Sequence, residues 1–372
     1  MISHYIDKYV NSFTAKNVSE KINVKYSISM ILIVLLAASW GNHSINSKAI
    51  NPDADTIFYR INATIRQMQN QLWSQWLNFL RRKRKKLSKM KCYIVIDETY
   101  DSYTGKLLRK EKQKKKLTEK ENDFIKYIHK YKPNKGDTGS FKYLVIAIVY
   151  GNTRRVLMVK AIKRKENYKL FILKILLQLK KEVKYECALF DRGFFDGKFA
   201  ASLRRDNIPF IIRARITKQM KILYDFPSTW KRYRNHQVGK EKSKIDLVLG
   251  ADITQGKRKR WAFLTNIESK NLAKIREIYR KRWNIENIFK ATDGIQLRAQ
   301  TNNPTTRLFC VCLSFLFYNS WQNYTKRKSI TLMDFTKMML EKLMKIISRT
   351  IQFFRDKLKI NIPFWDKIIS SF

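Results

Sequence analysis

The chain has 372 residues, with 77 Lys and Arg against 30 Asp and Glu, a formal charge of +47, and 44% hydrophobic residues. That length and apolar content suffice for two or three domains with a sizeable core, but a compact state of this charge repels itself unless a polyanion or salt screens it. Nucleic acid is therefore the favoured partner, and an anionic membrane surface the rival. The two apolar runs, Ser27–Trp40 and Leu308–Trp321, each hold 14 residues. Both fall short of the roughly 18–20 needed to cross a bilayer, so they read as buried helices and no membrane span is expected. The first run starts too far in, and follows too polar a segment, to be a secretory signal. Cys92, Cys187, Cys310 and Cys312 show no paired CxxC spacing and no nearby histidines, so zinc is not expected and buried thiols in a reducing cytoplasm are.

Residues 1–90 read as a helical N-terminal region. Ile61, Ile65 and Met68 through Trp73, Trp76 and Leu80 repeat at helical spacing and lead into Arg81-Arg82-Lys83-Arg84-Lys85-Lys86. That basic run suits phosphate contacts or a solvated linker. Tyr93–Ile96 is then a short buried strand closed by Asp97, and the charged stretch 105–135 is too polar for core and reads as a partly helical insertion. Phe141–Tyr150 and Val156–Ile162 read as strands around a turn at Gly151-Asn152-Thr153. Asn167 is a candidate N-cap for a helix to Val183, and Tyr185–Phe190 a strand leading to Asp191. A helix at about 196–206 and a strand at 209–212 follow.

Three strands in a meander, then alternating helix and strand, is the order of a ribonuclease H-like fold. The expected class is accordingly a mixed α/β sheet of that type over 91–304, with helical regions before it and at 305–372. In that order the first and fourth strands run side by side, which would bring Asp97 and Asp191 together. A block at about 213–264 interrupts the pattern. Between Arg213 and Trp261 it holds 14 Lys and Arg against 4 Asp and Glu, and Ile245–Leu249 and Trp261–Leu264 look like strands, so it reads as a β-rich insertion.

Two strand-end carboxylates, Asp97 and Asp191, and one helical carboxylate, Glu286, supply the hard oxygen ligands that two Mg²⁺ ions need for phosphodiester chemistry. Asp97 is the candidate bridging ligand; Asp191 and Glu286 would each complete one shell. Glu98 is expected to point to the opposite side of the strand, Asp101 to lie past its end, and Asp196 to act as a helix cap. Tyr279, Arg282, Glu286 and Lys290 are spaced by 3, 4 and 4 and read as one helical face. Its alternatives are a charge-laced solvent face and a DNA-facing stripe, with Tyr279, Arg282 and Lys290 on phosphates. Trp230, Tyr233 and Trp261 sit in the basic insertion, where base stacking and ordinary packing compete.

The segment Tyr279-x-x-Arg282-Trp283-x-x-Glu286 resembles the signature helix of DDE-type insertion-sequence transposases of the tyrosine-arginine-glutamate-lysine group. The likeness extends over Ile94–Thr99, Phe190–Phe194 and the insertion before the glutamate, roughly residues 93–325. It implies a ribonuclease H-like fold, two Mg²⁺ or Mn²⁺ ions, and a homodimer acting on double-stranded DNA: the inverted repeats flanking its own gene, and a target. The place of action implied is the nucleoid in a prokaryotic cytoplasm. One position departs. The signature lysine falls seven residues after the glutamate, where this chain has Asp293, with Lys290 one turn earlier. The expected activity is cleavage at element ends and transfer of 3′-hydroxyls to target DNA. The alternatives are a ribonuclease H-like nuclease or resolvase without strand transfer, a decayed transposase that only binds DNA, and a basic packaging protein.

Overall fold

A computed structural model describes residues 64–223, 229–254, 257–296, 301–325, 329–339 and 341. The apolar run Ser27–Trp40 lies outside them, as does the part of the helical region expected at 305–372 that follows residue 341. Residues 69–289 make one compact unit. Its elements, of which the first and last run a few residues past its bounds, are α1 (Ile65–Leu87), β1 (Cys92–Tyr103), α2 (Leu107–Lys112), α3 (Glu119–Ile125), β2 (Ile128–His129), β3 (Gly139–Tyr150) and β4 (Thr153–Ile162). There follow α4 (Lys169–Glu182), β5 (Cys187–Phe190), α5 (Gly197–Arg205), β6 (Phe210–Arg213), α6 (Lys218–Leu223), β7 (Lys231–Val238), β8 (Ser243–Thr254) and β9 (Lys257–Thr265). The helices α7 (Ala273–Arg280) and α8 (Trp283–Asp293) close the series.

The sheet order is β2-β3-β1-β5-β6-β9-β8-β7, with β4 also paired to β3. β1, β3 and β4 form the antiparallel meander, and β5 and β6 run parallel beyond β1, with Tyr93–Ile96 facing Cys187–Phe190. This is the mixed, ribonuclease H-like arrangement expected from the strand and helix order. The parallel strands are short continuous apolar runs, Cys-Ala-Leu-Phe and Phe-Ile-Ile, whose side chains are buried on both sheet faces. Parallel pairing of consecutive strands requires a crossover, which α5 supplies. The insertion is no separate layer. β9 pairs antiparallel with β6, and β8 and β7 extend the same sheet outward.

Two expectations about strand ends change. β1 is 12 residues long, so Asp97 lies in mid-strand and Asp101 inside the strand rather than past it. The reason is the hairpin partner: Asp97–Tyr103 stay paired with Val145–Gly139 of β3 after β5 has ended opposite Ile96. Sequence periodicity misses this because the half-exposed stretch Asp97–Ser102 carries polar residues on both faces. Asp97 is still the first β1 residue beyond the pairing with β5, which is what places it at the sheet's parallel carboxyl end.

Asn167 is not the N-cap of α4. Tyr168 holds that position, and the Asn167 side chain accepts from the Lys169 N–H two residues on. Asp196 does cap α5, accepting from the Phe199 N–H at 2.8 Å. Helix α1 packs on α4, its Trp73 indole donating to Gln178 at 2.9 Å, and Trp76 and Phe79 cover the buried Arg155 guanidinium of β4. A Cβ on Gly250 of β8 would run into the Trp230 ring, so the close approach of that indole requires glycine there.

The second unit takes in residues from 290 onward and is described by itself. Its helix α9 (Pro304–Tyr324) begins with an Asn303 cap and Pro304 in the first turn, and is apolar and buried on nearly every side. A short helix at 332–339 is joined to it through Trp321, whose indole donates to the Ile330 carbonyl at 2.9 Å. All four cysteines are free and buried, and no helix among the described residues is long and apolar enough to cross a membrane.

The cap on α5 generates a stability prediction. Burial works against ionised Asp196, but the Lys169 ammonium at 2.8 Å and the Phe199 N–H hold its carboxyl below the ordinary value. Stability from this group is thus present above the unfolded carboxylate pKa and lost as pH falls through the folded one. Asp196→Ala is expected to cost about 1 kcal/mol in urea unfolding at pH 7. The difference from wild type should shrink below about pH 4. A difference that stays constant with pH would mean the carboxylate's charge plays no part.

Candidate active site

Asp97, Asp191 and Glu286 come from three elements and meet around one guanidinium. Asp97 projects from β1, its carboxylate accepting from the Glu98 N–H at 2.8 Å. Asp191 follows β5 and opens a 3-10 turn at Arg192–Phe194, where Phe194 is buried and packs against Phe190. That turn redirects the chain and leaves the carboxylate at the strand's carboxyl end. Glu286 lies in the first turn of α8. Arg282 stands between the three, donating to Asp97 at 3.0 Å and to Glu286, with its Nε 4.0 Å from Asp191. The Arg282 side chain is only 8% exposed, so its charge is neutralised by these carboxylates and not by water.

Burial pushes the Asp97 carboxyl up to about 6, and the neighbouring carboxylates add to this; the Glu98 N–H and Arg282 pull the other way. A buried acid among other acids needs a cation beside it to stay ionised, and Arg282 is the cation at hand. Among the described residues no three His, Cys, Asp or Glu side chains are spaced to hold a metal ion as they stand. The donor set nonetheless fits in kind. Three carboxylates, with no nitrogen or sulfur ligand, are what Mg²⁺ and Mn²⁺ favour, and they already converge on a positive group.

The stripe of Tyr279, Arg282, Glu286 and Lys290 does not lie on one helix. α7 ends at Arg280 and α8 begins at Trp283, so Arg282 sits in the break. Tyr279 is buried, its hydroxyl 3.3 Å from an Asp191 oxygen, and burial raises its pKa so that it keeps the proton it donates. Lys290 follows Glu286 by one turn on α8 and is exposed, as is Asp293. Trp283, beside Arg282, is 53% exposed.

Three supports are invisible in the sequence because their partners are far apart along the chain. Phe263 of β9 packs on the Tyr279 ring at 4.9 Å and stacks with Trp261 at 5.8 Å and Trp230 at 6.2 Å. The insertion's aromatic residues therefore form a packed ladder leading to the site. Trp261 is 9% exposed, donates to Asp252 at 2.6 Å, and lies beneath Arg213, Lys259 and Arg276. Arg154 of β4 donates to Asn284 at 2.6 Å and so anchors the start of α8. Glu98, on the other side of β1 from Asp97, is paired with Lys142 at 2.6 Å and bonded to the hydroxyls of Tyr100 and Tyr168.

No curated protein matches the chain. Among solved structures it resembles one described as a cryo-EM structure of the piggyBac transposase synaptic complex with hairpin DNA. The two share 12% identity and a TM-score of 0.58, over 99% of this chain and 82% of that one, a likeness of fold. Residues 88–307, more than half of the chain and the stretch containing all three converging acids, match the family model of the transposase DDE domain. The chain belongs to the DDE-domain transposase family.

Proposed function

We propose that this protein is a DNA transposase that cleaves the ends of its element and transfers their 3′-hydroxyls to a target by two-metal-ion chemistry. The observation that carries the reading is the convergence of Asp97, Asp191 and Glu286 on one buried cation, from three elements far apart in sequence. Asp97, Asp191 and Glu286 would hold Mg²⁺ or Mn²⁺. The bound ions would activate the attacking oxygen and stabilise the leaving one.

The chain's own residues have separate tasks. The hairpin of β1 with β3 and the Glu98 N–H fix the aim of Asp97. Tyr279 orients the Asp191 carboxylate through its hydroxyl, held in place by Phe263. Arg282 neutralises the acids while no other cation is present. A guanidinium matches phosphate oxygens as well as carboxylates, so Arg282 turns to the DNA backbone when its carboxylates are taken. Lys290, exposed one turn beyond Glu286, contacts a neighbouring phosphate and stands in for the signature lysine absent at Asp293. The DNA comprises the element's inverted repeats and the target, and a homodimer pairs the two ends.

Two experiments test this reading. With Mg²⁺ and a marker flanked by the DNA that borders this gene, wild type should excise and join. Asp191→Asn should lose both steps by at least 100-fold while binding the same DNA. Cutting without joining by wild type would favour the nuclease reading, and binding without cutting the decayed one.

The second addresses Arg282. Removing one partner of a buried ion pair costs about 3 kcal/mol, or roughly 6–12 °C in melting temperature for a unit of this size. Arg282→Gln without metal is expected to melt lower by that amount, and Mn²⁺ to recover more of the loss than it adds to wild type. Equal responses of the two proteins to Mn²⁺ would mean that the carboxylates do not gather a cation.

A further inference from the structure

A concentration of positive charge lies away from the acid cluster in the same unit. A cavity of about 410 Å³ opens where α1 and α4 end, and Arg84, Lys180, Lys181 and Lys184 line it. These four come from the last turns of two helices and from the loop into β5, so folding gathers them. All four are exposed. The one acid in the lining, Glu182, is already engaged by Arg81 at 2.6 Å. Lys180 donates to the Asn207 carbonyl at 2.9 Å, while among the described residues no ion pair or hydrogen bond engages Lys181 or Lys184. Ser88 adds a hydroxyl to the wall. Helix C-termini favour cations, which explains one cation at the end of each helix. It does not explain four cations from two segments about 100 residues apart lining one concavity whose only acid is already engaged by Arg81.

We propose that this groove is a second DNA-binding site, which takes phosphates of the duplex backbone remote from the one that reacts. The inference rests on the DNA-processing reading above but uses none of its site residues. The separation follows from α4. Near its start, Tyr168 bonds to Glu98, the neighbour of Asp97, and Lys169 pairs with Asp196. From Lys169 the helix then rises about 17 Å to Lys180 and Lys181. At about 3.4 Å of duplex axis per phosphate of one strand, a groove at that distance meets backbone about five nucleotides from the candidate active site. Phosphate recognition by Lys and Arg on exposed helix ends carries no base information, so the site adds affinity and register without sequence preference.

The test uses the full chain in EDTA, so that no cutting occurs, with a mixed-sequence duplex of about 30 base pairs. Binding is followed between roughly 50 and 200 mM salt. Each phosphate that a variant no longer neutralises lowers the slope of log affinity against log salt by about 0.9. The variant R84Q/K180Q/K181Q/K184Q is expected to lose at least two units of slope and tenfold or more in affinity. A control, K112Q/K114Q/K115Q/K116Q, removes the same charge from exposed positions at the end of α2 and just after it and should lose much less. Equal losses in both variants would reduce the groove to general charge and overturn the proposal. Full binding by the groove variant would overturn it while leaving the DNA-processing reading intact. No binding by wild type would overturn both. Should the groove variant fold poorly, acetylation of wild-type lysines read by mass spectrometry decides instead. Duplex should shield Lys181 and Lys184 against the reagent, and unshielded labelling of both would refute the site.

Discussion

A single guanidinium ties the unit together. Arg282 reaches a carboxylate on β1, another after β5 and a third on α8, all while nearly excluded from water. A buried positive charge is tolerable only if opposite charges surround it, and three adjacent acids are tolerable only if a cation separates them. Each side thus makes the other's position sustainable. The consequence is geometric: the turn at which α7 gives way to α8 has to lie against the ends of β1 and β5, so that Arg282 reaches both of their acids.

The rest of the unit serves to hold that cluster to a small tolerance. The hairpin of β1 with β3 keeps Asp97 in register after β5 has stopped, and Arg154 fastens the start of α8 to the meander. On the other flank β9 adds Phe263, whose ring fixes Tyr279 and through it Asp191. The insertion is therefore coupled to the acids by stacked rings in addition to backbone pairing. Gly250 belongs to the same system, since the Trp230 indole needs the space that a side chain would fill.

Much of the fold was legible from order alone. The alternation of apolar runs and amphipathic stretches predicts the meander, the parallel pair and the side-by-side placement of β1 and β5, which is how two acids 94 residues apart come together. The residues of the signature segment were legible as a group. Their disposition was not: a spacing of 3, 4 and 4 implies one helix face, while the chain breaks between Arg280 and Trp283 and points Arg282 inward. Strand ends were also misjudged where pairing, not hydrophobicity, prolongs a strand, as at Asp101. The long-range supports, Arg154 with Asn284 and Phe263 with Tyr279, had no local signal at all. Polar and aromatic partners separated by many residues leave no period in the sequence.

The insertion also decides how the sheet ends. Because β9, β8 and β7 continue it, the outermost strand on that side is β7, which among the described residues pairs with β8 alone. Its sequence, Lys-Arg-Tyr-Arg-Asn-His-Gln-Val, is mostly polar, and its register slips between Tyr233 and His236, where Asn235 adopts a positive φ. An open strand edge invites another chain to add itself, and charged side chains with a bulge are the usual deterrents. In a protein with so large an apolar core, the same cations that suit it to nucleic acid keep its sheets from joining edge to edge while no nucleic acid is bound.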